Sequence, residues 1–192
     1  MVSLQPPGAD LGALCPDFAL PDPTGRVWSL KELRGKTGLL VAFICNHCPY
    51  VKSMVDRFVA DAKALQEAGV GVVAIMSNDV AAYPADAPEH MVTFARDHGF
   101  PFPYLVDETQ AVAESFEAVC TPDFFGFDRY LTLKYRGRLD AGRKTPPPAD
   151  SPRELLDAML AIARNPLEEP GPQHPSMGCS IKWKEDTLKL IE

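Results

Sequence analysis

The sequence has no basic stripe and no run of like charges, and its formal net charge is −7. A chain with that balance is a poor partner for nucleic acid or for an anionic membrane surface. It also lacks an apolar run long enough to cross a bilayer; the longest, Gly38 to Ile44, has the length of a strand. The opening residues, Met-Val-Ser-Leu-Gln-Pro-Pro-Gly, show no basic stretch followed by an apolar one. No secretory signal is read there, and a reducing, cytoplasmic setting is expected. Internal repeats and low-complexity blocks are missing too.

What is present fits one ordinary domain with some decoration. The 192 residues are 46% apolar and 23% charged, enough to bury a real core. Five cysteines stand at positions 15, 45, 48, 120 and 179. The odd count and wide spacing do not suit a small stapled domain. In a reducing compartment, paired cysteines read as redox or metal groups.

Along the chain, residues 14–30 suggest two short strands around a Pro/Gly turn. Gly38-Leu-Leu-Val-Ala-Phe-Ile44 reads as a strand covered on both faces. From about Pro49 to Ala68 the pattern turns helical, with Val51, Val55, Phe58, Ala62 and Leu65 in one stripe and Gly69 as its stop. Val70 to Met76 is a second buried strand. A loop at 77–87 precedes a helix from Pro88 to about His98, a short strand at 102–106 and a short helix at 109–119. A hairpin follows at 124–127 and 131–135, with Asp128-Arg129 near its turn. Residues 145–152 form a linker, and 153–164 a closing helix. The chain thus divides into a domain at 1–164 and a Pro-rich tail at 165–192 that packs on or near it. The order of elements is that of an α/β thioredoxin-like fold: a mixed central sheet flanked by helices, with an N-terminal hairpin and a C-terminal extension.

Cys45-Asn46-His47-Cys48 sits at the junction of the buried strand and the long helix. A helix N-terminus offers unsatisfied N–H groups and partial positive charge, which favour a thiolate. Two intervening residues let the sulfurs close a disulfide. Cys45 would attack a partner disulfide or sulfenic acid, and Cys48 would resolve the mixed disulfide. His47, if protonated, would lower the thiol pKa; otherwise it is a polar residue of the first turn. Asn46 has no specific role. A metal site would need further ligands from His47, Cys120 or Cys179, and no second pair at metal-binding spacing exists. No metal and no cofactor are therefore expected.

Four segments carry a resemblance. Cys15-Pro-Asp-Phe-Ala-Leu through Leu33-Arg-Gly-Lys36, Phe43-Ile-Cys-Asn-His-Cys-Pro-Tyr50, Thr121-Pro122 before Asp123-Phe-Phe-Gly-Phe-Asp128, and Gly178-Cys-Ser-Ile-Lys-Trp-Lys184 resemble the thioredoxin-like superfamily. They most resemble its peroxiredoxin-like branch, grouped with the alkyl hydroperoxide reductase/thiol-specific antioxidant family. The resemblance implies a cis-proline at Pro122 and a substrate-contacting role for Thr121 and Pro122. It permits Cys179 to fold back as a second resolving thiol. Cys120 could serve as an accessory thiol or a small buried hydrophobe, while Cys15 reads as a packing residue. One departure matters. Peroxiredoxins carry Pro-x-x-x-Thr-x-x-Cys around the peroxide-reducing cysteine. With Cys48 in that place, the proline position is Val41 and the threonine position is Cys45. The expected activity is thus thiol–disulfide exchange in redox homeostasis. Thiol peroxidase/antioxidant activity is the runner-up, and a metal-binding or chaperone-like module the non-enzymatic alternative. Expected partners are a protein or small-molecule disulfide or thiol, with a reductase partner allowed for. His90, His98 and His174 show no catalytic geometry. Asp107-Glu108 suit the cap of the following helix better than acid–base chemistry.

Overall fold

The computed structural model describes residues 3–6 and 8–185. In chain order these form β1 (Ser3–Leu4), β2 (Ala19–Pro21), β3 (Val27–Ser29), α1 (Leu30–Leu33), β4 (Gly38–Phe43) and α2 (Pro49–Glu67). Next come β5 (Val70–Met76), a 3-10 turn (Pro84–Asp86), α3 (Pro88–Asp97), β6 (Tyr104–Val106) and α4 (Ala111–Ser115). The chain then adds β7 (Cys120–Thr121), β8 (Asp123–Asp128), β9 (Leu133–Gly137), α5 (Glu154–Arg164) and β10 (Gly178–Ser180).

The central sheet has the order β6-β5-β4-β8-β9. β4 runs parallel to β5 and antiparallel to β8. Its six residues are all buried, as the unbroken apolar run requires. Alternation then divides them. Leu40, Ala42 and Ile44 join the core shared with α2 and α5. Leu39, Val41 and Phe43 join the core under the β2–β3 hairpin and α4. Each such side chain removed from water contributes about 1.5–3 kcal/mol, so the central strand is pinned from both faces. This mixed α/β architecture is the thioredoxin-like fold.

α2 begins where its sequence allows. Pro49 takes the first helical position, where a missing N–H costs nothing, and Cys48 is the N-cap. The apolar stripe from Val51 to Leu65 is buried. Gly69, with φ of 84°, ends the helix in the left-handed conformation that favours glycine. α4 is shorter than its periodicity suggests. Gln110 and Glu117 both have positive φ, and the Ala118 amide donates to the Ala113 carbonyl, closing the helix early. Asp107 accepts from the amides of Ala113 and Val112 and from the Ser77 hydroxyl, so it does cap that helix.

A second, small sheet has the order β1-β10-β7 and decides the surroundings of the site. The tail strand β10 lies between the N-terminal strand and the residues before Pro122, with Cys179 opposite both Ser3 and Thr121. Nothing in Gly-Cys-Ser favours a strand by itself; the two flanking edges impose it. Beyond β10, the Lys182 amide donates to Asn78 Oδ1 at 2.9 Å, and the Lys182 carbonyl accepts from the Asp79 amide at 2.8 Å. Gln110 Nε2 also donates to that carbonyl, and the Lys184 amide donates to Gln110 Oε1.

Gly178 is fixed by contact. A Cβ there would overlap the Thr121 carbonyl oxygen. We therefore expect Gly178→Ala to cost about 1–3 kcal/mol, as overpacking does, and to loosen β10 from β7. A loss of about 1.4 kcal/mol in local closing makes the covered thiols about tenfold more reactive toward a water-soluble disulfide reagent. Unchanged reactivity would show that β10 is not what covers them.

Candidate active site

The three sulfurs of Cys45, Cys48 and Cys179 meet at the junction of β4, α2 and β10. Cys48 Sγ lies 3.1 Å from Cys179 Sγ and 3.2 Å from the carbonyl oxygen of Thr121, to which its thiol hydrogen points when present. Cys45 Sγ lies 3.4 Å from Thr121 Oγ1 and 3.9 Å from His47 Nδ1. The Thr121–Pro122 peptide bond is cis. All five cysteines stand as thiols rather than disulfides.

The residues between the two motif cysteines do not belong to the helix. A buried carboxylate holds them out of it. Asp86 Oδ1 accepts from the amides of Asn46 at 2.8 Å and His47 at 3.3 Å. Asp86 Oδ2 pairs with His47 Nδ1 at 2.6 Å and accepts from Asn78 Nδ2 at 2.8 Å. Burial alone would raise the Asp86 pKa, but the bonds from His47, Asn78 and Asn46 outweigh it and hold the carboxyl below its ordinary value. Asn46, to which the sequence assigns no role, is a positioning residue: its side chain donates to the Ala85 carbonyl and accepts from the Tyr104 hydroxyl. The imidazole of His47 stacks on Tyr83 at 5.7 Å between centroids. Asp86, Asn78 and Tyr83 carry no motif, and only the fold of the 77–87 loop brings them to the cysteines.

The thiolate position differs from the one the sequence suggests. Cys48, not Cys45, is the N-cap of α2. Its pKa is lowered to about 5, first by the hydrogen bond from the Cys45 thiol. Burial opposes that shift, and the amide of Val51 and the thiol and amide of Cys179 reinforce it. Cys45 is raised instead: it donates to Cys48, it is buried, and the charges of Asp86 and Cys48 lie nearby. The Asp86 carboxylate thus brings negative charge beside Cys45.

Burial is the other departure. Cys45, Cys48 and Cys179 are 1%, 0% and 3% exposed, because β10 and the 77–87 loop close over the end of β4. His47, whose Nδ1 lies 3.9 Å from Cys45 Sγ, keeps 17% of its side chain exposed. Thr121 directs its hydroxyl at Cys45, while its backbone edge is already paired with Cys179. Pro122 lines a groove of about 220 Å³ with Tyr50, Met54, Arg138 and Met177. Cys120 directs its thiol at the Pro122 carbonyl, and burial pushes it up. Cys15 lies apart from the cluster, and burial pushes it up to about 12. Among the described residues, Cys45, His47 and Asp86 form a group whose donor atoms lie within 4.8 Å of one another, a spacing a cation could use. In the structure, two of those donors are bonded to each other.

Two buried cysteines at a strand-to-helix junction facing a cis-proline, on this fold, place the protein in the thioredoxin-like class. The AhpC/TSA family matches residues 11–136, and the chain belongs to that family. An uncharacterised conserved protein from Geobacillus kaustophilus is 43% identical, with a TM-score of 0.85 over 96% of this chain and 98% of that one. The chloroplastic peroxiredoxin Q of Triticum aestivum is 27% identical over 115 residues, which is 60% of this chain and 48% of that protein, so the match spans about half of the relative. The thioredoxin domain of a thiol-disulfide oxidoreductase from Bacteroides vulgatus, 16% identical over 71% of this chain and 91% of that one, shares the fold with a TM-score of 0.57.

Proposed function

We propose that the protein is a thiol–disulfide oxidoreductase whose working couple is Cys45 and Cys48. The observation that carries this reading is geometric: both cysteines meet the cis Thr121–Pro122 peptide at the start of α2, with Cys45 Sγ 3.4 Å from Thr121 Oγ1 and Cys48 Sγ 3.2 Å from the Thr121 carbonyl oxygen. Cys45 lies beside the partly exposed His47. As it attacks one sulfur of a partner disulfide, its proton passes to Cys48 and the partner's first thiolate leaves. Cys48 then loses that proton to the departing thiolate and attacks Cys45 Sγ, and the second partner sulfur is expelled as a thiolate that takes its proton from water. The partner gains two electrons and the protein holds a Cys45–Cys48 disulfide. Thr121 Oγ1 steadies Cys45, Pro122 walls the adjoining groove, and His47 is held in place by Asp86. The partner is a protein or small-molecule disulfide, and a reducing compartment with a reductase partner would return the dithiol.

The test is disulfide mapping of the oxidised protein together with reduction of insulin or a model disulfide. A Cys45–Cys48 link and a Cys45-dependent rate are expected. An unchanged rate in Cys45→Ser would sink the reading.

The low pKa of Cys48 and the family membership favour a second reading, peroxide reduction. There the Cys48 thiolate would take one peroxide oxygen to become a sulfenic acid, and the alcohol or water would leave. The Cys45 thiol would then condense with it, releasing water. The threonine hydroxyl that positions peroxide in peroxiredoxins is absent at position 45, which is why disulfide exchange comes first. Saturable peroxide consumption faster than that of free thiols would reverse the order.

A further inference from the structure

Within this reading, which the following step rests on, we infer that Cys179 is a third redox thiol that takes Cys48 over from the Cys45–Cys48 disulfide. The Cys48 and Cys179 sulfurs lie 3.1 Å apart, about 1 Å more than a disulfide bond. Their separation is set by regular structure on both sides. Cys48 is fixed as the N-cap of α2. Cys179 is fixed by antiparallel pairing with Thr121, whose carbonyl oxygen also faces Cys48. Gly178 permits that close approach of backbones. Asn78, Asp79 and Gln110 anchor the chain just beyond β10. The approach of Cys179 is thus built into the second sheet and is not the chance reach of a loose tail.

The step balances without any further oxidant. The partner disulfide has already removed two electrons in forming Cys45–Cys48. The sulfur of Cys179, giving up its proton, attacks Cys48 Sγ. The Cys45–Cys48 bond breaks, its electron pair leaves on Cys45, and Cys45 takes up the proton. The products are a Cys48–Cys179 disulfide and a Cys45 thiol. In the reduced protein, burial and the neighbouring Cys48 push Cys179 up to about 12, while Lys182 and Lys144 act in the opposite sense. Once Cys48 is in a disulfide its negative charge is gone, and the two lysines act against burial alone. Lys182 is held beside Cys179 by bonds from its ammonium to Ser180 O and Oγ at 2.9 and 3.0 Å. Cys45 is thereby returned as a thiol beside His47, while the oxidising equivalents pass to the Cys48–Cys179 pair.

The experiment is a time course on the full chain. The reduced protein is oxidised with a small disulfide, quenched in acid and alkylated, and its linked peptides are identified by mass spectrometry. In the wild type, the Cys45–Cys48 link should rise first and decline as Cys48–Cys179 appears, with Cys45 recovered as alkylated thiol. Cys45→Ser should form Cys48–Cys179 directly, and Cys179→Ser should hold all of its oxidised population as Cys45–Cys48. A wild type that accumulates Cys45–Cys48 with no Cys48–Cys179 at any time overturns the relay and leaves the Cys45/Cys48 couple standing. A wild type that forms neither link overturns both.

Discussion

Cys48→Ser is expected to lower the rate of model-disulfide reduction by at least about 100-fold, the scale on which loss of a covalent nucleophile registers. Cys48 is the sulfur that both other thiols face, so its removal eliminates Cys45–Cys48 and Cys48–Cys179 together. The same variant should lose a spectroscopic feature. In the wild type, thiolate ultraviolet absorbance should titrate with an inflection near pH 5, where Cys48 takes up its proton. Cys15, Cys45, Cys120 and Cys179 are all pushed upward, so the low-pH inflection belongs to Cys48. A group whose folded pKa lies below its unfolded value stabilises the fold above the unfolded value, and that contribution is lost as pH falls through the folded one. For Cys48 the window runs from the ordinary cysteine range down to about 5. A wild-type titration with no inflection below pH 7 would remove the assignment.

The low value does little for the rate of attack itself. At neutral pH, a fall from the ordinary thiol value to about 5 raises the thiolate fraction of Cys48 by nearly two orders of magnitude. Intrinsic nucleophilicity falls with a Brønsted coefficient of about 0.4–0.5, which returns most of that gain. What remains is leaving-group ability. A disulfide that ends on Cys48 is readily opened there, and the dithiol form is favoured over the disulfide. The site is thus suited to passing oxidation on rather than keeping it.

Asp86→Ala should be the most damaging single change away from the sulfurs. It leaves the amides of Asn46 and His47, the His47 ring and the Asn78 side chain without their common acceptor. Buried donors left unpaired cost about 1–3 kcal/mol each, and partial relaxation brings the expected total to about 3 kcal/mol. Denaturant unfolding measures it, and a loss below about 1 kcal/mol would show the carboxylate to be a bystander. Disulfide reduction should fall as well, because Asn46 and His47 set the spacing of the cysteines. Asp86→Asn keeps one acceptor oxygen and should recover part of both losses.

The sheet, the long helix and the dithiol were legible because each has a local signature. The run Gly38–Ile44, the stripe from Val51 to Leu65 and the pair Cys45/Cys48 are written in consecutive or periodic residues. Thr121-Pro122 was legible only through resemblance. Asp86 was not legible at all, since a carboxylate 39 positions from His47 has no pattern to mark it. The misplaced thiolate follows from the same gap. The helix start near Pro49 is legible, but the Asp86 charge beside Cys45 is not, so the sequence assigns to Cys45 the benefit that Cys48 receives. β10 was hidden for a related reason: its residues have no strand preference, and its register comes from Thr121 and Ser3.

The small sheet has a consequence for the order in which the protein is made. Cys45 and Cys48 leave the ribosome long before Cys179, which is 131 positions after Cys48. Until that last strand arrives, the central sheet can close but β7 has a bare edge and the dithiol lies open to any electrophile in the cell. Contacts of such sequence separation form late, because loop closure must be met before they return anything. The nascent chain therefore passes through an interval in which its sulfurs are more vulnerable to over-oxidation than they will be again, and β10 is the cover that ends it.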